Sequence, residues 1–250
     1  MTRFSANLGF LWAELTLPEA IRAAAKAGFD AVECHWPYDT PPEDVRKALV
    51  ETGLPMLGLN TSRGKAGENG LAALKGRTPQ ARAAIDQALD YAVATGTKAV
   101  HVMAGFASGQ IAHDTFVENL RYACKNARPH NITILIEPLN VYDAPDYFLQ
   151  NSDQALRIIN QLNDPALKLM FDCYHLQIME GDLMRRLEKC LPVVGHIQFA
   201  SVPERREPSL GELNYKHIFT HIEKLGYCAP LGAEYKPDGK TEPTLDWMKW

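Results

Sequence analysis

Oxygen-bearing side chains stand at the ends of four consecutive apolar runs in the second half of the chain. Glu137, Asp172 and Glu234 each follow directly on such a run, and Gln198 ends the remaining one. Carboxylate and amide oxygens are hard ligands, the type that Mg²⁺ and Mn²⁺ prefer. If the four runs are strands that end at one place, these side chains form a candidate cation site.

Three carboxylates in apolar surroundings need a positive partner. They repel one another, and each desolvated charge is costly unless it is neutralised. Each acid could instead pair with a surface Lys or Arg, but four acceptors in four consecutive units favour one shared ion. Oxygen ligation without a thiolate favours Mg²⁺ or Mn²⁺ over structural zinc, and Co²⁺ is expected to substitute in vitro.

A divalent cation beside two carboxylates suits proton transfer next to a carbonyl group. An α-hydroxy carbonyl held through both oxygens has an acidic C–H bond, because the cation stabilises the enediolate that remains. One carboxylate then removes the proton, and a second carboxylic acid delivers one to the neighbouring carbon or oxygen. Glu137 and Glu234 come from runs three units apart and are expected to flank such a ligand.

Short apolar runs alternate with amphipathic stretches along the whole chain. The alternation predicts eight strands, at Phe4–Leu8, Ala31–Cys34, Met56–Asn60, Ala99–Met103, Thr133–Glu137, Lys168–Asp172, Val194–Gln198 and Leu231–Glu234. Helical patterns lie between them, among them Pro18–Ala27, Pro79–Thr95, Thr115–Ala127 and Ser152–Leu162. Eight such units predict one α/β domain over residues 1–250, a (β/α)₈ barrel with its chemistry at the carboxyl ends of the strands.

The ends of the predicted helices and of the chain carry further signals. Gly28 and Gly96 stand where left-handed helix caps are expected. Only residues 235–250 follow the last strand, too few for a long eighth helix, so we predict a short closing helix over Thr244–Trp250. Trp247 and Trp250 would then cover the barrel wall. No Gly-x-Gly-x-x-Gly motif is present, and we expect no organic cofactor.

The seventh strand carries two possible ligands, His196 and Gln198. Side chains along a strand alternate between its two sides, and on this ground we expect only one of the pair to face the site. We assign Gln198 as the acceptor and expect His196 to pack between the barrel and the helices.

Composition and charge exclude several classes of protein. The formal net charge is -4 and no dense Lys/Arg stretch is present, which disfavours a nucleic-acid partner. The chain shows neither a signal-peptide core nor an apolar run long enough to cross a bilayer, so we expect a cytoplasmic protein that does not bind membranes. The five cysteines are dispersed, and neither a disulfide framework nor a thiolate zinc site is expected.

Five segments carry recognisable motifs: Ala6–Leu8, Ala27–Glu33, Ile136–Asn140, Phe171–Asp182 and Gly232–Pro237. They resemble the hydroxypyruvate isomerase family of the xylose isomerase-like barrels, and the resemblance covers nearly the whole chain. It implies that the four acceptors Glu137, Asp172, Gln198 and Glu234 are metal ligands and that the two glutamates are the proton donor and acceptor. The implied reaction moves a proton from C3 to C2 of hydroxypyruvate and yields tartronate semialdehyde.

Two residues are candidates for binding this anionic substrate. An anion among three acids needs a cation besides the metal, and Arg205, in the loop after Gln198, is the one we assign. The alternative is that Arg205 and Arg206 are solvated and pair with neighbouring glutamates. His175, one helical turn beyond the sixth strand, is expected to donate a hydrogen bond to a substrate oxygen, a role that the resemblance supports.

Several side chains are left with two interpretations. Phe10, Trp12, His35 and Trp36 follow the first two strands and form either the apolar side of the pocket or a subunit contact. His101 faces either the core or the pocket. His217 and His221 lack the glutamate of a zinc protease and are expected to be exposed on a helix.

Other functions use the same ligands or the same architecture. A 2-oxo-tetronate isomerase or a ketose 3-epimerase would need a similar site with a differently shaped pocket. A sugar-binding barrel without catalysis, and a metal-dependent endonuclease, belong to other classes. The negative charge and the small number of histidines at the strand ends disfavour the endonuclease. A homo-oligomer is compatible with the sequence.

Overall fold

Eight short parallel strands form the centre of the fold. In the computed structural model, which describes residues 2–250, they are β1 (Phe4–Asn7), β2 (Ala31–Glu33), β3 (Gly58–Asn60), β4 (Ala99–His101), β5 (Thr133–Ile136), β6 (Leu167–Asp172), β7 (Val194–Phe199) and β8 (Leu231–Ala233). Their order in the sheet is β2-β1-β8-β7-β6-β5-β4-β3. The edge strands β2 and β3 meet through a parallel bridge between Val32 and Met56, which nearly closes the barrel. The predicted (β/α)₈ fold is confirmed.

Helices surround the barrel: α1 (Leu17–Ala27), α2 (Pro42–Thr52), α3 (Thr78–Thr95), α4 (Gly109–Ala127), α5 (Ser152–Leu162), α6 (Cys173–Met179), α7 (Leu183–Cys190) and α8 (Tyr215–Lys224). Single 3₁₀ turns lie at Arg128–His130 and Leu191–Val193. Gly28 and Gly96 end α1 and α3 with φ of 90° and 76°, as their positions predicted. None of the helices within residues 2–250 is long and apolar enough to span a membrane.

Two helix predictions differ from the structure in an informative way. The fourth helix begins at Gly109, six residues before the predicted Thr115, because its first turns place Ile111 in solvent and so show no regular apolar periodicity. The closing helix is replaced by two 3₁₀ turns, Glu242–Thr244 and Asp246–Lys249. A segment this short is too brief to nucleate a regular helix unaided.

The tail nevertheless covers the barrel as predicted for Trp247. This side chain is 1% exposed and packs edge-on against Phe4, with ring centroids 4.9 Å apart, and against Phe199 at 5.3 Å. Trp250 is 46% exposed and lies at the rim, where its ring contacts Phe219 and Lys216. The C-terminal turns thus seal the barrel wall beside β1 and β7 through one aromatic side chain.

Replacing Trp247 by Ala should therefore destabilise the protein strongly. Removal of a large buried ring leaves a cavity, and we expect the free energy of unfolding to fall by about 3–5 kcal/mol. Urea denaturation followed by circular dichroism measures this change. Trp250→Ala is the matched control and should cost less than about 1 kcal/mol. Equal effects of the two substitutions would show that the tail does not close the barrel.

Candidate active site

The four predicted acceptors lie at the carboxyl end of the barrel. Glu137 follows β5, Asp172 ends β6, Gln198 lies in β7 and Glu234 follows β8, and all four are buried. Asp172 and Gln198 are direct neighbours in the register of β6 and β7. A cavity of about 340 Å³ opens above them, and both glutamates line it.

Arg205 supplies positive charge to this cluster from the loop after β7. Its Nη2 atom lies 2.7 Å from Glu234 Oε2 and 3.7 Å from Asp172 Oδ2. Its Nη1 atom lies 3.1 Å from Asp143 Oδ2. A left-handed backbone at Arg205, with φ of 55°, accompanies this inward turn of the side chain. The alternative of a solvated Arg205 is wrong, whereas Arg206 does pair near the surface, with Asp238.

Three of the four acceptors retain a buried oxygen without a hydrogen-bond partner. They are Oε1 of Glu137, Oδ2 of Asp172 and Oε1 of Gln198. A buried acceptor left unsatisfied costs about 1–3 kcal/mol, so the three together favour binding of a positive group from outside the chain. Because every donor atom is a hard oxygen, the set fits a divalent ion such as Mg²⁺ or Mn²⁺.

Glu234 differs from the other three because donors already surround its carboxylate. His35 Nε2 lies 2.7 Å from its Oε1, and Asn7 Nδ2 donates to the same oxygen at 3.0 Å. Its Oε2 accepts a hydrogen bond from Arg205 at 2.7 Å. One lone pair of Oε2 is left to bind a cation or a proton.

The pKa values of the acids follow from these contacts. Burial, together with Glu234 and Asp172, raises the pKa of Glu137 well above its usual value. Burial and Glu234 likewise raise the pKa of Asp172 to about 8. Burial acts in the same direction on Glu234, but Arg205 and His35 hold its pKa below the usual range. Added positive charge is therefore most stabilising beside Glu137 and Asp172.

His175 is a neutral hydrogen-bond donor in this arrangement. Its Nδ1 atom accepts a bond from the backbone N–H of Asn140 at 3.0 Å, which places the ring proton on Nε2. Burial and Arg205 lower its pKa well below the usual value. One ligand atom each of Glu137, Asp172 and His175 lies within 4.8 Å of the others, a spacing that suits a metal. A protonated Nε2, however, can donate to an oxygen and cannot ligate an ion.

The predicted place of His196 is wrong. Its Nε2 atom lies 2.7 Å from Glu33 Oε2 inside the barrel, beside Gln198 and not among the outer helices. The two side chains are two residues apart on β7, so alternation puts them on the same side of the strand. His101, which the sequence left facing either the core or the pocket, faces the pocket. Its Nδ1 lies 3.5 Å from Glu137 Oε2.

The structure also adds residues that the sequence predictions missed. Asn7 and Glu33 end β1 and β2, so the strand-end criterion applied to the last four strands would have found both. Asp143 stands on the loop after β5, where no local pattern signals it. The sequence placed His35 near the pocket, but its contact with Glu234 was not predicted.

Aromatic side chains form one wall of the cavity, as one of the two interpretations proposed. Phe10, His35 and Trp36 line it, with the rings of Phe10 and His35 5.0 Å apart. Trp12 does not belong to this wall. Its indole N–H donates to Glu242 at 2.8 Å, and the ring is buried against the C-terminal turns.

Two cations stand at the mouth over these rings. The guanidinium of Arg63 lies 4.7 Å from the ring centroid of Trp36, and Nζ of Lys236 lies 5.6 Å from that of Phe10. Both side chains line the cavity and are exposed. Within residues 2–250 neither has a carboxylate partner, so both are free to meet an anion. His217 is exposed as predicted, and His221 is partly covered beside Glu188.

Comparison with known proteins places the chain among its relatives. A model of the xylose isomerase-like TIM barrel matches residues 21–249. The chain is 42% identical to a 2-oxo-tetronate isomerase of Cupriavidus necator, over 100% of this chain and 98% of that protein. It is 40% identical to the hydroxypyruvate isomerase of Escherichia coli, over 99% of this chain and 98% of the relative.

A solved structure agrees over the full length. A protein of Brucella melitensis, described as an AP endonuclease of family 2, superimposes with a TM-score of 0.96 at 41% identity, covering 100% of this chain and 98% of that one. The resemblance inferred from the motifs is thereby confirmed. The chain belongs to the hydroxypyruvate isomerase family of xylose isomerase-like TIM barrels and is an isomerase of that family.

Proposed function

We propose that the protein is a divalent-metal-dependent isomerase that interconverts hydroxypyruvate and tartronate semialdehyde. The observation that carries the proposal is the set of three unpartnered buried oxygens, on Glu137, Asp172 and Gln198, at the carboxyl ends of three consecutive strands. Glu137 and Glu234 line the cavity at this end of the barrel. Glu234 is the fourth ligand of the proposed set. Mg²⁺ or Mn²⁺ fits this set best, with Co²⁺ as a substitute.

When bound, the metal supplies electrostatic stabilisation of the enediolate. The residues of the chain orient the substrate and move the protons. His175 directs its Nε2–H into the cavity, where it donates to a substrate oxygen. Three N–H groups of Arg205 donate to Glu234 and Asp143. Its remaining N–H groups are available to donate to a second oxygen of the substrate.

The proton transfer balances with two glutamates. One carboxylate removes the proton from C3 of hydroxypyruvate, and the electron pair of that C–H bond becomes the C2–C3 double bond of the enediolate. The other, as a carboxylic acid, delivers a proton to C2, and the proton of the C3 hydroxyl passes to the C2 oxygen as the aldehyde forms. Glu137 and Glu234, which both line the cavity, perform these steps.

The charges at the mouth favour an acid over a neutral ketose. With one glutamate protonated, as the proton transfer requires, the acids Glu137, Asp143, Asp172 and Glu234 carry three negative charges, which Arg205 and a divalent ion only just balance. An anionic substrate therefore needs further cations. Arg63 and Lys236 are the free ones at the rim, and the aromatic wall narrows the space available to a longer sugar.

A 2-oxo-tetronate is the second candidate substrate, because the relative from Cupriavidus necator carries that activity in its name and is 42% identical. It has the same carboxylate and the same α-hydroxy ketone. Comparing kcat/KM for the two acids with the Mn²⁺-loaded protein decides between them. Binding of both without exchange of a substrate C–H proton into D₂O would instead support a non-catalytic barrel.

The description of the Brucella protein raises an endonuclease as an alternative from another class. The net charge of the chain is -4 and it has no dense Lys/Arg stretch to track a phosphodiester backbone, so we propose no nucleic-acid partner. Salt-sensitive binding of abasic DNA would contradict this.

Conservative removal of either proton carrier should abolish turnover. Glu137→Gln and Glu234→Gln should each lower kcat for hydroxypyruvate by at least about 100-fold with little change in KM, because an amide cannot exchange the proton. Stopped assays of tartronate semialdehyde formation, with Mn²⁺ binding measured in parallel, separate chemistry from metal loss. Glu118→Gln, an exposed change on α4, is the control. Near-normal turnover of both variants would overturn the assigned roles.

Removal of the rim cations should weaken binding of the acid alone. We expect Arg63→Gln and Lys236→Met each to raise KM for hydroxypyruvate about twofold to fivefold, the effect of one exposed charge pair. The inhibition constant of dihydroxyacetone, which replaces the carboxylate by a neutral alcohol, should stay unchanged. Arg206→Gln is the control, because that side chain does not line the cavity. If dihydroxyacetone bound more weakly by the same factor, the effect of Arg63 and Lys236 would not depend on the charge of the ligand.

A further inference from the structure

Glu33 is a buried carboxylate that lies outside the proposed ligand set. Its Oε1 accepts hydrogen bonds from Gln198 Nε2 at 2.7 Å and from Asn7 Nδ2 at 3.2 Å. Its Oε2 lies 2.7 Å from Nε2 of His196. Glu33 does not line the mouth cavity, so it cannot reach the substrate directly. Such a charge in the barrel interior is costly, and its contacts suggest what it does there.

The contact with Glu33 decides which way the amide of Gln198 points. A carboxylate can only accept hydrogen bonds, so the NH₂ group of Gln198 must face it. If the amide were rotated by 180°, two acceptor oxygens would stand 2.7 Å apart. The orientation observed leaves Gln198 Oε1 buried and without a partner, as a metal ligand must be.

Gly232 on β8 makes room for this contact. A Cβ atom at this position would lie 2.6 Å from Glu33 Oε1 and 2.8 Å from Gln198 Cγ. Its backbone is not in the left-handed region, so the space that the missing side chain leaves is the reason for glycine here. Strand β8 lies between β1 and β7 and has no side chain at Gly232. The side chain of Glu33 on β2 can therefore contact that of Gln198 on β7.

Glu33 is also connected to a second proposed ligand. The amide of Asn7 donates to Glu33 and, at 3.0 Å, to Glu234. His196 supplies the balancing positive group from β7, and these side chains are all buried. Glu33 is thus linked by hydrogen bonds to Gln198 directly and to Glu234 through Asn7.

We propose that Glu33 is a positioning residue, which holds the amide of Gln198 with its oxygen toward the cation site. This inference rests on the proposed metal-dependent function. Supporting groups of this kind, which contact ligands and not the ion, typically contribute 10- to 100-fold to metal affinity.

Direct titration with Mn²⁺ tests the proposal without an activity assay. Binding is measured as the decrease in the electron paramagnetic resonance signal of the free ion. Glu33→Gln should weaken Mn²⁺ binding about 10- to 100-fold, because a glutamine at this position tolerates both orientations of Gln198. Gly232→Ala should weaken it in the same direction without removing a charge or a ligand. Gly195→Ala is the matched control, since its Cβ would be equally crowded but against Lys168 and Leu135.

A double-mutant cycle identifies the route of the effect. In a Gln198→Ala background, Glu33→Gln should change Mn²⁺ affinity less than twofold, because there is no amide left to orient. A full effect of Glu33→Gln in that background would overturn the proposal in favour of a direct charge effect. Unchanged affinity of folded Glu33→Gln would overturn it as well.

The outcomes separate this inference from the proposed function. If the unaltered protein fails to bind Mn²⁺, the proposed function and the inference both fail. If it binds Mn²⁺ and the Glu33 variant binds equally well, only the inference fails. Thermal unfolding of each variant, recorded alongside, shows whether a loss of affinity follows from a loss of fold, and Gly195→Ala gives the scale for that comparison.

Discussion

Neutralisation of buried carboxylates at the carboxyl end of the barrel is the constraint on which the rest of the site depends. Asp172 lies between Glu137 and Glu234 in chain order, and all three are buried, so their ionised forms are stable only beside positive groups. Arg205 supplies one such group, and its left-handed backbone turns the side chain inward. The remaining unpartnered oxygens mark where the proposed divalent ion would balance the charge.

The same constraint makes the two glutamates unequal. Glu234 is surrounded by donors from His35, Asn7 and Arg205, which favour its ionised form. Glu137 has an unpartnered oxygen and acidic neighbours, which favour its protonated form while no cation is bound. Glu137 and Glu234 thus have opposite tendencies toward a proton, which suits their proposed roles as proton donor and acceptor.

Local sequence patterns were sufficient to predict that the acceptor side chains lie at the carboxyl ends of the strands. They could not predict contacts between side chains from strands that are distant in the sequence. Each of Glu137, Asp172 and Glu234 ends an apolar run, so its place at the mouth follows from the strand alone. The pairing of Glu33 with Gln198 joins residues 165 positions apart. It requires the closed sheet, the register of β7 against β8 and the absence of a side chain at one glycine, none of which a local pattern contains.

His196 shows how a correct rule applied to the wrong spacing misleads. Alternation separates neighbours, but residues two apart share a face, and both point inward. The inward position has a physical reason beyond geometry. Glu33 at the core of the barrel needs a positive partner, and a histidine on the facing strand provides one without adding a fixed charge to the layer below the site. Part of the barrel interior is therefore polar, and its packing and the orientation of a proposed ligand depend on the same hydrogen bonds.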